Sequence, residues 1–150
     1  MTGSGRRASS AISISGWATK ISLGGMVLAM TMSSQASARH KFLECNTVSN
    51  AHILASDGTF LGSLSPASRP DSVLNKTGPY GSRTAGNGLW NINGPYGSIS
   101  SEKSPMNGAG GRPASVVKDG KEVGKLMRGS LRTWIEDPAK LVQRCYGFQP

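Results

Sequence analysis

The chain has 150 residues, 37% hydrophobic and 17% charged, with a formal net charge of +9. That length suits one small domain beside a leader and argues against a multi-domain protein. Two cysteines and two histidines without ligand-like spacing argue against a metal centre, and basic residues scattered without a block of five or six argue against nucleic acid as partner.

The chain opens with Arg6 and Arg7 and passes through Ser-rich sequence to Lys20 and an apolar run from Ile21 to Met32. A run of about twelve residues suits the apolar centre of a signal peptide and falls short of the roughly 20 a membrane span requires. Gly24 and Gly25 interrupt it, which counts against the competing reading of an uncleaved anchor. Ala36-Ser37-Ala38 follows, small at the two positions a signal peptidase reads. Residues 1–38 are therefore expected to be a signal peptide, cut between Ala38 and Arg39. Arg6-Arg7 also raises the twin-arginine route, although no bulky apolar pair follows it. Taking 38 residues from 150 leaves 112 for a single mature domain, 39–150, secreted or periplasmic and without a membrane span. Three of the seventeen basic residues leave with the leader, so fourteen face eight acidic ones and the mature charge is near +6. That balance favours an anionic partner, either an envelope component or a protein.

Cys45 and Cys145 both fall in the mature part. In an exported protein an even pair reads as a disulfide, here joining the first strand to the last helix and enclosing nearly the whole domain.

Asp57-Gly-Thr-Phe-Leu-Gly-Ser-Leu64 and Asp119-Gly-Lys-Glu-Val-Gly-Lys-Leu126 match each other. Each has the Asp-Gly dipeptide that favours a tight hairpin turn, and each follows an apolar feeder, 52–55 and 114–117. Between them Ser72-Val-Leu-Asn-Lys-Thr-Gly-Pro-Tyr-Gly-Ser82 superposes on Gly88-Leu-Trp-Asn-Ile-Asn-Gly-Pro-Tyr-Gly-Ser98 with a shift of sixteen. A further shift reaches Asn107 and Gly110, a worn third copy with Arg112 in place of the tyrosine. Fixed-period self-similarity marks units that bury a face only against their neighbours. Sixteen residues suit a hairpin and its connections, with Pro79 and Pro95 at strand starts or edges and Tyr80 and Tyr96 beginning strands. At the far end Asp137-Pro138 reads as a cap and first turn, Ala139 to Tyr146 as a short helix and Gly147 as its stop. The expected fold is mainly β: a core over 53–128 of hairpin units about sixteen residues long, closed or flower-like, with a helical tail over 129–150.

On these motifs, over roughly Ile53 to Arg128, the chain resembles small exported bacterial proteins of the four-fold beta-flower type. Ser72, Asn75, Gly78, Tyr80, Gly81 and Ser82 fit that pattern's unit; the second copy has Gly88 for the leading Ser, and the third has Arg112 and Pro113 for Tyr and Gly. The resemblance implies fold and export and transfers no catalytic residue and no cofactor.

His40 lies beside the cleavage site and His52 at a strand entrance, the latter a weak candidate for a general base. Asp57 and Asp119 belong to turns and Asp137 to a cap, and the other carboxylates show no pairing in the sequence. Gly86-Asn-Gly88 and Gly108-Ala-Gly-Gly111 lack the strand, lysine and helix of a phosphate loop and read as turns. Asn75-Lys-Thr77 has the form of a glycosylation acceptor, but its asparagine is wanted by the turn. The remaining candidates are Tyr80, Trp90, Tyr96 and Trp134 with Arg83 and Arg112, an aromatic-basic face able to stack a planar ligand beside positive charge. Packing between repeats is the competing use of those rings. Two functions follow: an exported non-catalytic binding or structural module, or a small secreted hydrolase with a site between repeats. The ligand and the oligomeric state have no signature in the sequence.

Overall fold

The structure, a computed structural model, describes residues 43–132 and 134–150. The leader expected over 1–38, the expected Ala38–Arg39 cleavage site and His40 lie outside the described residues.

Two hairpins form the centre because each carries Asp-Gly where the chain must reverse. β1 (His52–Leu54) and β2 (Phe60–Ser63) are joined by a turn in which the Ala55 N–H donates to the Thr59 carbonyl over 2.8 Å. Between β3 (Ala114–Lys118) and β4 (Lys121–Leu126), Asp119 and Gly120 both take positive φ, 50° and 74°, as a two-residue turn matched to strand twist requires. β1 pairs antiparallel with β2 on one side and β3 on the other, setting Ile53 opposite Gly62 and Val116. The two matching hairpins of the sequence thus lie side by side in one sheet. A short β5 (Ile135–Glu136) adds parallel to β4, giving the order β2-β1-β3-β4-β5. The sheet is open and mixed and does not close into a ring. Its β2 edge is covered from within: the Ser63 N–H donates to the Asp71 carbonyl over 2.8 Å, and the Ser63 carbonyl accepts from the Val73 N–H over 2.9 Å.

The expectation of hairpins over the middle of the chain is corrected. Among the described residues 64–113 there is no strand; the segment runs as successive turns, and Tyr80 and Tyr96 sit in turns rather than at strand starts. Its hydrogen bonds nevertheless recur at a shift of sixteen. The side-chain amides of Asn75, Asn91 and Asn107 donate to the carbonyls of Arg69, Ala85 and Ser101, and their side-chain oxygens accept from the backbone of Thr77, Asn93 and Ala109. This is the side-chain-to-backbone bonding that suits Asn to turns. Buried residues follow the same spacing: Val73, Leu89 and Pro105 are fully buried, followed by Leu74 and Trp90, nearly so, and half-buried Met106. Two adjacent residues facing inward cannot alternate as a strand does, so the apolar pairs themselves select turns over hairpins.

The core joins these turns to one face of the sheet through Ile53, Leu61, Leu64, Val73, Leu89 and Val116. It also draws in Val48 from α1 (Cys45–Val48) and Leu141 and Val142 from α2 (Pro138–Tyr146), beyond the 53–128 expected from the sequence. α2 forms where the sequence places it. The Asp137 carboxylate accepts from the Ala139 and Lys140 N–H groups, Pro138 opens the first turn, and Gly147 ends the helix at φ 62°. Cys45 and Cys145 form the disulfide, with Cα atoms 5.3 Å apart, joining the last helix to the first helix and not to a strand. Beside it the Leu43 N–H donates to the buried Glu136 carboxylate, and Arg144 bonds both Glu136 and the Leu43 carbonyl.

Candidate functional site

The turn run and the C-terminal tail enclose two adjoining clefts. One, about 310 Å³, is lined by Lys76, Arg83, Trp90 and Phe148. The other, about 450 Å³, is lined by Trp90, Ile92, Ile99 and Met106, with Arg83 and Arg128 among the cations at its walls. Trp90 is fixed from behind, its indole N–H donating to the Val73 carbonyl over 2.7 Å, and its ring lies 6.0 Å from that of Phe148. Lys76 Nζ stands 5.2 Å over the Phe148 ring, and Arg83 donates to the Pro150 carbonyl over 2.7 Å. Ile92 and Ile99, at 72% and 65% exposed, lie in two turns separated by the one over 94–98. No side-chain carboxylate or imidazole lines either cleft. Such a surface offers apolar contact and positive charge, which suits binding and lacks a general base.

Of the residues singled out in the sequence, the fold brings Trp90 and Arg83 together here and takes the others elsewhere. Tyr96 is 6% exposed, and its hydroxyl is hydrogen-bonded to Asp57 Oδ2 at 3.0 Å and to Thr59 Oγ1 at 2.9 Å, tying the β1–β2 turn to the turn run. Tyr80 stands edge-on to Phe60 at 5.0 Å, and Phe60 edge-on to His52 at 5.3 Å, so the tyrosine and the histidine share one string of ring contacts beside β2. With Tyr96 buried and Trp90 only 5% exposed, the flat platform expected from the sequence is not assembled. Arg112 lines a separate cleft of about 460 Å³ with Ser115, Glu122 and Lys125. Trp134 is 62% exposed at a tip of its own. Asn75 spends both ends of its amide within its turn.

The Arg112 cleft holds the closest approach to a catalytic group. The Ser115 hydroxyl donates to Glu122 Oε2 over 2.6 Å, and Lys125 Nζ forms a 3.0 Å ion pair with the same oxygen. The Ser115 hydrogen bond, then Lys125, holds the Glu122 carboxyl below its usual range. A carboxylate made more acidic is a poorer base, so Glu122 orders Ser115 without activating it. Among the described residues no group of three or more His, Cys, Asp or Glu side chains could hold a metal ion. None of their helices is long and apolar enough to cross a membrane.

Sequence reading missed Ile92, Ile99, Met106 and Arg128. The signal was present in Ile92 and Ile99, each a lone branched apolar residue set among Asn or Ser in a stretch without strand alternation. Compared with protein families, with curated proteins and with solved structures, the chain matches none.

Proposed function

We propose that the protein is an exported, non-catalytic binding or structural module of the cell envelope or extracellular space. The observation that carries this reading is the cleft lined by Trp90, Ile92, Ile99 and Met106 together with Arg83 and Arg128, with no side-chain carboxylate or imidazole in its lining. Export is supported by the leader-like composition of residues 1–38 and by a disulfide of the kind that persists in oxidising compartments. The sixteen-residue spacing of Asn75, Asn91 and Asn107, with their shared bonding, supports treating the turns as copies of one unit, as the beta-flower resemblance implies.

The competing hydrolase has Ser115, Glu122 and Lys125 as its geometry. The two readings separate in one experiment: retention of the purified protein on an envelope fraction, compared with Arg83→Glu/Arg128→Glu and with Ser115→Ala. A binding module loses retention by roughly ten-fold or more in the double charge reversal and is indifferent to Ser115→Ala. Release of soluble fragments from that fraction, abolished by Ser115→Ala, would establish the hydrolase in its place.

A further inference from the structure

Among the described residues the large apolar side chains left most exposed are Ile92, Ile99, Leu131 and Trp134. Ile92 and Ile99 share a cleft with Arg128; Ile99 and Met106 share a shallower one with Arg128 and Gly129, from which the chain runs directly to Leu131. Leu131 is 100% exposed, so it projects and packs on nothing. Trp134 carries the Arg132 guanidinium 5.7 Å from its ring centre. The base of this projection is held firmly: the Met127 N–H donates to the Glu136 carbonyl over 2.8 Å, and the Arg128 N–H to the Pro105 carbonyl over 2.7 Å. Of the carboxylates at that base, Glu136 is held by Arg144 and Leu43, while Asp137 caps α2 through Oδ1 and accepts the Gly129 N–H through Oδ2. The tip therefore presents two aliphatic or aromatic anchors and two guanidinium groups.

We infer that Leu131 and Trp134, with Arg128, Arg132 and the neighbouring Ile92 and Ile99, form a docking site for the surface of an anionic lipid bilayer. A projecting leucine has no use in a hollow-lined sugar site, and a flat protein partner gains little from one side chain on a stalk. A bilayer accepts it, because aliphatic side chains enter the acyl boundary, an indole settles at headgroup depth, and arginine stems lie along the interface while their charges meet phosphate. Several basic residues beside anionic lipid add attraction that salt weakens. The inference rests on the reading of the protein as a binding module, for which it names the partner.

The test is co-sedimentation of the full, oxidised chain with vesicles of phosphatidylglycerol and phosphatidylcholine against pure phosphatidylcholine. Binding is expected to the anionic vesicles and to fall as salt rises. It should weaken roughly ten-fold or more in Arg128→Gln/Arg132→Gln and, separately, in Leu131→Ser/Trp134→Ser. These positions are exposed, and an unchanged melting temperature in both variants certifies the fold. Equal binding to neutral vesicles, or binding that survives both variants because the apolar run at 21–32 supplies it, overturns the inference, as does the absence of binding. Vesicle binding that fails while retention on envelope protein persists overturns the lipid partner and leaves the binding module standing. Failure of both removes the module as well.

Discussion

Tyr96 and Asp57 show how one contact joins two parts of the chain that the sequence keeps 39 residues apart. The Asp57 carboxyl is lowered from 3.8 to about 2, first by hydrogen bonding from the Thr59 side chain and backbone, then by Tyr96 and by Lys103. Lys103 Nζ stands 3.4 Å from Asp57 Oδ2. A depressed carboxyl contributes stability that is fully present above the unfolded value near 4 and is lost as pH falls through the folded value near 2. Melting temperature is therefore expected to drop between pH 4 and pH 2, and Asp57→Asn should flatten that part of the profile while lowering stability at neutral pH. A profile identical in the variant would show that the turn's carboxylate is not coupled to folding. The same bond explains why Tyr96 misleads as a candidate ligand-stacking residue. Sequence shows a tyrosine expected at a strand start; only the fold shows that it sits in a turn, its hydroxyl committed to Asp57 and Thr59 and its ring to the core.

At the level of elements, both Asp-Gly hairpins and the capped C-terminal helix were legible, because each rests on local chemistry: turn-forming dipeptides and an N-cap with proline. Hairpins over the middle of the chain were misjudged because Asn, Gly and Pro there specify turns without specifying strands between them. Val73-Leu74 and Leu89-Trp90 bury two neighbours at once, which a strand exposed on one face cannot do. Nor does local sequence reveal that the two outer hairpins pair through β1 and β3, a contact across more than sixty residues. The glycines of the turns are set by close approach: a Cβ at Gly81 or Gly97 would fall inside contact distance of the Asn75 or Asn91 carbonyl, in the same way in both copies. Gly97→Ala is accordingly expected to cost about 1–3 kcal/mol, read from denaturant midpoints, as overpacking against backbone does. Gly86, with nothing within 4 Å of such an atom, supplies the control, since alanine there should be close to neutral. Equal effects at the two sites would sink the close-packing account of the turns.

The described residues form a small open sheet packed against a run of turns, in which the first and last helices are fastened by Cys45–Cys145, by Arg144 and by the buried Glu136. A link between residues 100 apart removes the widest loop from the unfolded chain, worth about 4.7 kcal/mol in the chain-entropy picture. That is a large share of the stability of a domain this size, so the fold would be marginal in a compartment that reduces the bond. The proposed binding face depends on this closure, because Phe148 and Pro150, just beyond Cys145, line the Trp90 cleft. Structure, compartment and function therefore hang on whether the chain is exported and oxidised. Intact-mass measurement of the protein from its own cells, before and after thiol alkylation under denaturing conditions, tests this most directly. The account predicts a product beginning at Arg39 that takes up no alkylating agent until it is reduced. A full-length species retaining Met1, or two thiols alkylated without reduction, would contradict it.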